Sequence, residues 1–389
     1  MICVAATLRS PLTSVGPVIK DITRALDINS IIAGLLTTIP LITFGIISPF
    51  VPKLVNKISM SRLIIYSIII LTIGLCLRIS GGIWIFLVGT VIIGIGIAIC
   101  NVTLPSYVKW NFPLQIGIVT GIYSSTMNFT AGLGGGLSYP LGLWNGYGYV
   151  MSLGFWIIFS IIAFIAWMPQ VKTIKAENTE SLTTEVKQKT FKVFKSNLAW
   201  MVALTMGFQS MIFYTTVAWL PLIISSKGIN EINAGYYLML NQFAQVPMTF
   251  LFPIVAARLK DQKVLIYIIG LLYVIGFSLL FLSNAWLILA MIISGLAAGA
   301  SFSICMTFFS LRASTSDGSI ALSGFGQSIG YFIAAIGPFL LGYIYDKTND
   351  WNIGIITILA MVIGFVIFGI FSSKNITVED QLLKKAPEQ

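Results

Sequence analysis

The sequence predicts an all-helical integral membrane protein with twelve transmembrane helices. Of its 389 residues, 57% are hydrophobic and only 9% are charged, whereas soluble domains carry about 25% charged residues. Apolar stretches of about 20 residues, long enough to cross a hydrocarbon core of about 30 Å as a helix, recur along the chain. A membrane β-barrel would alternate in polarity, and runs such as LIIYSIIILTIGL at 63–75 do not.

The predicted helices divide into two sets of six. In chain order they cover 1–20, 31–51, 62–80, 83–108, 115–138, 148–168, 197–224, 232–257, 264–283, 285–311, 319–343 and 351–371. A long polar stretch at 169–196 separates the sixth helix from the seventh. We therefore expect an N-terminal six-helix bundle at 1–168, a cytoplasmic linker at 169–196, a C-terminal six-helix bundle at 197–371 and a cytoplasmic tail at 372–389.

The positive charges indicate how the chain is oriented. Of the 23 Lys and Arg residues, most fall in loops on the side that carries the linker and both termini. The positive-inside rule places that side in the cytoplasm, which predicts a multi-pass plasma-membrane protein. The residues assigned to the outer side are Lys20, Arg24, Arg78, Lys227 and Lys347. This distribution explains the net charge of +10 without a nucleic-acid surface, so we expect no nucleic-acid partner.

The composition excludes several kinds of chemistry. The chain has no histidine, which removes imidazole metal ligands and the Ser/His or Cys/His catalytic pairs. Its four cysteines lie within predicted spans, without the spacing of a metal site or a disulfide framework. We expect no enzyme activity, no metal and no cofactor. A cleaved signal peptide is the alternative interpretation of the opening segment, but Arg9 interrupts its apolar run.

Arg9 is the one ionisable side chain that this segmentation places near the middle of a membrane span. An arginine at a helix centre costs about 2.5–3.5 kcal/mol on insertion scales, so it usually faces a protein interior or an aqueous cavity. Its guanidinium stays charged and can donate two parallel hydrogen bonds to an anion. Arg9 is therefore the first candidate for substrate binding, and the alternative is that it binds helix carbonyls and supports the bundle.

The two halves of the chain resemble each other. INSIIAG at 28–34 recurs as INEINAG at 229–235, and Gly121 with Ser125 matches Gly324 with Ser328. Because each half has an even number of spans, both copies enter the membrane from the same side, as in transporters built from parallel repeats. Leu8-Arg9-Ser10 in the first helix corresponds to Phe208-Gln209-Ser210 in the seventh, so a charged donor in one half faces a neutral amide in the other. That asymmetry favours a monoanion over a dianion.

This layout resembles the major facilitator superfamily, although the superfamily's acidic and basic loop motif after the second helix is degraded at 52–59. Two local patterns are similar to its cyanate permease and nitroimidazole transporter branch. They are Leu8-Arg9-Ser10-Pro11 followed by TSVGP at 13–17, and NVTLP at 101–105 followed by Val108-Lys109 and Phe112-Pro113. The resemblance implies a monomeric carrier in the lipid bilayer that moves a small anion or small polar heterocycle by alternating access.

Polar residues inside the predicted spans complete the candidate substrate site. Asn241 and Gln245 are four residues apart and share one helix face, while Gln242 points elsewhere. Asn101 precedes Pro105 by four residues, so it either contacts substrate or satisfies the carbonyl that the proline frees. Tyr123 and Tyr214 offer hydroxyl groups or serve only in packing. The full set of candidates is Arg9, Thr13, Thr38, Asn101, Tyr123, Asn128, Gln209, Tyr214, Asn241, Gln245 and Gln327.

Two further features bear on mechanism. The predicted spans contain no Asp or Glu near the midplane, where proton-coupled carriers commonly hold a carboxylate. We therefore expect a uniporter, an exchanger, or a symporter whose substrate carries the proton. The run Gly134-Gly135-Gly136 before Pro140 is similar to the glycine-rich fifth helix of drug/proton antiporters, which makes multidrug efflux the alternative function.

Overall fold

The computed structural model describes residues 1–27, 30–55, 57–172 and 193–385, and within them it contains helices and connecting turns but no strand. The helices of the first half are α1 Ile2–Ala5, α2 Ser10–Thr13, α3 Ile19–Leu26, α4 Ser30–Ile47, α5 Val51–Val55, α6 Met60–Ile79, α7 Ile83–Asn111, α8 Ile116–Leu143, α9 Tyr149–Gly154 and α10 Trp156–Lys172. Those of the second half are α11 Asn197–Ser225, α12 Glu231–Arg258, α13 Lys263–Ser278, α14 Leu287–Leu311, α15 Ser316–Thr348, α16 Trp351–Ser372 and α17 Val378–Lys385.

The long helices coincide with the predicted spans to within a few residues at most boundaries. Ten helical stretches in the described ranges are long and apolar enough to cross a membrane. The helix α8, with 28 residues, is equally long but carries the glycine and serine stripe, which makes it less apolar. The all-helical membrane fold is therefore confirmed, with the linker interval 173–192 lying outside the described residues.

The prediction of one continuous helix over 1–20 is wrong. The chain there forms α1, then an irregular segment from Ala6 to Arg9, then α2, a 3-10 turn at Gly16–Val18 and α3. Pro11 and Pro17 provide the physical reason, because a proline lacks the N–H that continues a helical ladder and favours the first turn of a new helix. Broken helices of this kind occur in membrane proteins where the backbone lines a site or is buried in protein.

Two equivalent pairs of helices join the halves, α8 with α12 and α4 with α15, beside further contacts of α7 with α14 and α15 and of α8 with α14. The Ser125 hydroxyl donates to the carbonyl of Val246 at 3.2 Å, and the Ser328 hydroxyl donates to the carbonyl of Gly45 at 2.6 Å. Ser125 and Ser328 are equivalent in the internal repeat, and their acceptors lie on the second span of the opposite half. The same contact therefore occurs on both sides of the interface, as a parallel repeat requires.

Glycines bring these helices close together. A Cβ atom built on Gly121 would lie 2.6 Å from the carbonyl oxygen of Phe250, and one on Gly324 would lie 2.8 Å from that of Ser48. Real Cβ atoms do not approach so closely, so a larger residue would force the backbones apart. Small residues at such contacts are typical of helix pairs in membranes, where packing replaces the hydrophobic effect.

The segment at 372–389, predicted only as a tail, contains the helix α17. The N–H of Val378 donates to the carbonyl of Arg312 at 2.9 Å, and a carboxylate oxygen of Glu379 accepts from the N–H and the hydroxyl of Thr315. This short helix is thus fixed to the ends of α14 and α15. Its eight residues were too few to produce a periodic signal in the sequence.

We predict that Gly121→Ala lowers the free energy of unfolding by about 1–3 kcal/mol, because overpacking a close contact has that cost. The melting temperature of the purified protein in detergent measures it. The matched control is Gly135→Ala in the same helix, where a Cβ meets no heavy atom within 4 Å, so its melting temperature should not fall. Equal effects of the two substitutions would contradict the packing argument.

Candidate functional site

Arg9 lies in the break of the first span, immediately before α2. Its side chain is only 7% exposed, and it points into the boundary between the two halves. The backbone at Ala6–Arg9 is not helical, so the direction of the Arg9 side chain is not fixed by the faces of α1 or α2. The sequence-based expectation that Arg9 faces the protein interior therefore agrees with its position.

Two phenyl rings of the opposite half enclose the guanidinium. Its central carbon lies 4.4 Å from the ring centre of Phe213 on α11 and 3.9 Å from that of Phe302 on α14. Both distances are within the range of attractive cation–π contacts. An arginine of the first half is therefore held by aromatic residues of the second half, which couples the two bundles at this point.

A chain of hydrogen bonds extends from Arg9 across the same boundary. One terminal N–H group of Arg9 donates to the side-chain oxygen of Asn128 on α8. The Asn128 amide donates to the Thr249 hydroxyl on α12 at 2.7 Å, and that hydroxyl donates to the carbonyl of Gln245 at 2.7 Å. Asn128 thus uses both ends of its amide to connect the cation with the second half.

Three attractive contacts offset the free-energy cost of burying the Arg9 guanidinium. Burying an unpaired ion costs several kcal/mol even after relaxation. Two desolvated cation–π contacts of about 2 kcal/mol each and one charge-assisted hydrogen bond of about 1.5–3 kcal/mol offset this. No carboxylate among the described residues forms an ion pair with Arg9; the ion pair recorded there joins Lys263 to Asp261 at 3.0 Å. The site is therefore stable but retains a net positive charge and spare N–H donors.

A second polar junction joins α7 to α15. The side chain of Gln327 donates to the carbonyl of Asn101 at 2.9 Å, and the side chain of Asn101 approaches the Tyr331 hydroxyl at 3.5 Å. The carbonyl that Pro105 frees belongs to Asn101 itself. The prediction that the Asn101 side chain might satisfy this carbonyl is wrong, because a side chain of the other half does so. Asn101 and Gln327 therefore form a contact between the halves.

The candidate amide side chains of the second half are all buried, but they differ in their hydrogen-bond partners. Asn241 donates to the carbonyl of Met291 at 3.1 Å and to the Ser294 hydroxyl at 2.9 Å, both on α14. It therefore binds within its own bundle rather than at Arg9. Gln209 accepts from the Ser210 hydroxyl at 3.2 Å, and its amide nitrogen has no partner among the described residues, as is true of both amide atoms of Gln245.

The other predicted residues occupy less distinctive positions. The Thr13 hydroxyl donates to the carbonyl of Ala131 on α8 at 2.9 Å, which holds α2 against that helix. Thr38 is half-buried in α4. Tyr123 is fully buried in α8, whereas Tyr214 is half-buried, with its ring centre 6.5 Å from that of Tyr331. Tyr214 thus lies beside the second junction and Tyr123 inside the first bundle.

Three important residues were not predicted. Phe213 and Phe302 are ordinary apolar residues in apolar helices, so the sequence alone gave no signal for their contact with Arg9. Arg78, assigned above to the outer side of the membrane, is only 1% exposed. Its guanidinium donates to the carbonyl of Pro11 at 2.8 Å. The side of the membrane assigned to Arg78 stays a prediction, but its burial was not foreseen, because the end of α6 is covered by the first span.

The contact of Arg78 satisfies a carbonyl that the break in the first span leaves free. Pro11 belongs to α2, which ends at Thr13, and the described backbone bonds include none from Val15 to Pro11. Since Pro11 follows Arg9 by two residues, the buried arginine of α6 fixes the backbone that carries the candidate binding residue. Its Nε atom and second terminal nitrogen have no partner among the described residues.

Comparison with known proteins agrees with this architecture. The family profile described as Major Facilitator Superfamily matches residues 1–335. The chain belongs to the major facilitator superfamily. It is a transporter of that family rather than an enzyme, and it acts on a small molecule in a membrane.

Three curated relatives align with nearly the whole of this superfamily member. The uncharacterized transporter YycB of Bacillus subtilis (strain 168) is 36% identical over 365 residues, which are 93% of this chain and 90% of the relative. The 2-nitroimidazole transporter of Escherichia coli (strain K12) is 32% identical over 375 residues, 96% of this chain and 94% of the relative. The cyanate transport protein CynX of the same strain is 24% identical over 373 residues, 93% of this chain and 94% of the relative.

These relatives confirm the branch that the patterns around Arg9 and Asn101 indicated within the superfamily. They do not favour the multidrug-efflux alternative that the glycine run at 134–136 suggested. In the structure two of these glycines serve packing, because a Cβ on Gly134 would clash with the Thr13 hydroxyl and one on Gly136 with the sulfur of Met239. Close contacts of α8 therefore explain Gly134 and Gly136, but not Gly135.

We predict that Arg78→Met leaves the melting temperature within a few degrees of wild type but lowers transport at least about tenfold. The substitution removes a buried charge that costs several kcal/mol, and with it a hydrogen bond whose loss costs about 1–3 kcal/mol, so stability changes little. The carbonyl of Pro11 loses its donor, and the backbone at Arg9 is no longer fixed. Melting curves of the purified protein measure the change in stability, and initial rates of substrate uptake into proteoliposomes measure the change in transport.

Arg24→Met is the matched control, because Arg24 is an exposed arginine of the same half. Arg24→Met should change neither the melting temperature nor the rate of transport. Unchanged uptake in Arg78→Met would show that Arg78 does not position the first span.

Proposed function

We propose that this transporter moves a small monoanion, or a small polar heterocycle of similar shape, across the plasma membrane, and that Arg9 binds it. The observation that supports this proposal is the buried guanidinium between Phe213 and Phe302, which has no carboxylate partner among the described residues. A cation placed between two halves and balanced only by an amide and two rings attracts an anion strongly in a low-dielectric interior.

The geometry of arginine favours planar or linear substrates. Its fork of N–H groups matches a planar or linear group that can accept two hydrogen bonds at once. Asn128 occupies one of these donors in the described structure, and a substrate would take its place or share it. The relatives named for 2-nitroimidazole and for cyanate have substrates of this size and shape.

The internal repeat supports a single negative charge. Gln209, the equivalent of Arg9 in the second half, is a neutral amide that is fully buried in α11. One permanent positive charge in the site is matched by one negative charge on the substrate, whereas a dianion would leave an unpaired buried charge at a cost of several kcal/mol. We therefore assign the transporter a monoanionic or neutral polar substrate.

Alternating access requires the two bundles, at 1–168 and 197–371, to rock against each other around this site. Lys109, at the end of α7, donates to the carbonyls of Ser310 at 2.8 Å and Ala313 at 2.5 Å, at the end of α14. By the positive-inside rule these ends lie in the cytoplasm, as do both termini. In this proposal Lys109 closes the cytoplasmic side when the site is accessible from outside.

The coupling mechanism follows from the residues present. The described parts of the spans place no carboxylate near Arg9, so we propose uniport, exchange, or symport in which the substrate carries the proton. The contacts between the halves are made within one chain, which is consistent with a monomer as the working unit. We assign no nucleic-acid partner, because the positive charges are explained by membrane orientation.

We predict that Arg9→Gln weakens cyanate binding at least about 100-fold, because two charge-assisted hydrogen bonds of about 1.5–3 kcal/mol each are lost. Arg9→Lys should bind with intermediate affinity, since it keeps the charge but not the fork. Arg9→Gln should fold, because the burial cost of the charge disappears with the guanidinium. Ligand-induced shifts of the melting temperature and uptake of labelled cyanate measure the effect.

The matched control is Arg24→Gln, which removes an exposed arginine of the same half and should behave like wild type. If Arg9→Gln binds cyanate as wild type does, the proposed role of Arg9 is wrong. If Arg9→Gln cannot fold although Arg24→Gln does, Arg9 supports the bundle instead.

We predict that Lys109→Met shifts the protein towards a conformation open to the cytoplasm. The substitution removes two hydrogen bonds to charged nitrogen, each worth about 1.5–3 kcal/mol, from the closed cytoplasmic side. A cysteine placed at Ser106, buried one turn earlier on α7, should react with a maleimide at least about tenfold faster from the cytoplasmic side in a background without the native cysteines.

Lys53→Met is the control for this experiment, because Lys53 is an exposed lysine of the same cytoplasmic side. It should leave the labelling rate unchanged. Equal labelling of the Lys109→Met and wild-type proteins would contradict the proposed closure.

A further inference from the structure

A small cavity lies inside the second half, among α11, α12, α13 and α14. Its volume is about 10 Å³, enough for roughly one water molecule. Most of its surface is apolar: Phe213, Tyr273 and Phe277 form an aromatic wall, and Ile212 and Ala298 add aliphatic contacts. The polar side chains that line it are Thr216, Asn241, Gln242 and Ser294.

Gln242 and Thr216 supply unused hydrogen-bonding groups. Gln242 is 3% exposed and Thr216 is 6% exposed. Both amide atoms of Gln242 and the hydroxyl of Thr216 are buried without a partner among the described residues. Polar groups in a protein interior are nearly always hydrogen-bonded, so each such group requires an explanation. The expectation that Gln242 points away from Asn241 is wrong, since both residues line this cavity.

The neighbouring polar residues do not supply the missing partners. Asn241 uses its amide nitrogen on the carbonyl of Met291 and the hydroxyl of Ser294. The Ser294 hydroxyl in turn donates to the carbonyl of Ala290 at 2.6 Å. The Tyr273 hydroxyl is paired with that of Ser301 at 2.7 Å. The unused groups of Gln242 and Thr216 are therefore available to a molecule that enters the cavity.

Phe213 connects this cavity with the proposed anion site. Its side chain lines the cavity, and its ring centre is 4.4 Å from the central carbon of the Arg9 guanidinium. Phe213 therefore contacts both the guanidinium and the cavity. If its side chain moved aside, a positive charge would lie at one end of a continuous site and neutral hydrogen-bonding groups at the other.

We propose that the cavity at Gln242 and Thr216 is a second subsite, which takes the place of one water molecule with a single oxygen atom of a neutral substituent of the substrate, such as one oxygen of a nitro group. The proposal rests on the function proposed above. The Gln242 amide and the Thr216 hydroxyl donate to the substituent while the charged or ring portion stays at Arg9. A three-atom anion held by the guanidinium has no substituent left for the cavity, so it binds through Arg9 alone.

The two parts of the site therefore respond differently to two ligands. Cyanate tests the arginine end alone, and 2-nitroimidazole tests both ends. Substitutions of Gln242 or Thr216 should thus weaken the binding of 2-nitroimidazole, whereas the arginine end should not depend on either residue.

The experiment measures the affinities of the purified full-length protein for these two ligands in wild type, Gln242→Met and Thr216→Val. We expect both substitutions to weaken the binding of 2-nitroimidazole at least about tenfold and to change cyanate binding less than about twofold. Thr215→Val is the matched control, because Thr215 is equally buried and its hydroxyl is also unpartnered, but it does not line the cavity.

Each outcome decides the proposal. If the substitutions leave the affinity for 2-nitroimidazole unchanged, or weaken cyanate and 2-nitroimidazole equally, the cavity holds only water and the subsite is overturned. The same conclusion holds if Thr215→Val has the same effect as Thr216→Val. Failure of the function proposed above is distinct, because wild-type protein would then bind neither cyanate nor 2-nitroimidazole. Thr216→Val is nearly isosteric, so it provides the test if Gln242→Met does not fold.

Discussion

A buried positive charge without an acidic partner is the constraint on which the rest of this structure depends. Lipid-embedded helices can hold such a charge only if the protein surrounds it with polarizable rings and hydrogen-bond acceptors. Phe213, Phe302 and Asn128 do this for Arg9. All three lie on other helices, two of them in the opposite half, so the charge is stabilised only when the two halves are together. Release of this contact is therefore coupled to their separation.

The internal repeat gives the protein a symmetric frame with an asymmetric centre. The frame consists of equivalent serine and glycine contacts on both sides of the interface, such as those of Ser125 and Ser328. The centre has an arginine in one half and Gln209 in the other. In the proposed mechanism, the symmetric frame allows the same rocking motion towards either side of the membrane, and the asymmetric centre determines which substrate charge is accepted. Under that proposal, fold and specificity are carried by different residues of the same repeat.

Much of the fold follows from the sequence, because membrane helices need long apolar runs and produce a strong signal. The positions of most long helices and the placement of Arg9 in the protein interior were predicted in this way. The break at Arg9 and the contact of Arg78 with Pro11 were not, because both depend on how the first span packs against α6. The roles of Phe213 and Gln242 were missed for a similar reason: in an apolar helix, neither residue type shows which neighbour it faces. The contacts that side chains make between helices can be determined only from the structure, whereas the helices themselves can be predicted from the sequence.

The most direct test of the central claim is to locate a bound linear monoanion. Selenocyanate has the shape and charge of cyanate and carries a selenium atom whose anomalous scattering identifies its position in a crystal. Our account predicts selenium density between the two halves, with the anion within hydrogen-bonding distance of the Arg9 guanidinium and near the rings of Phe213 and Phe302. Selenium density elsewhere in the transporter, with Arg9 still bonded to Asn128 and making no contact with the anion, would contradict it.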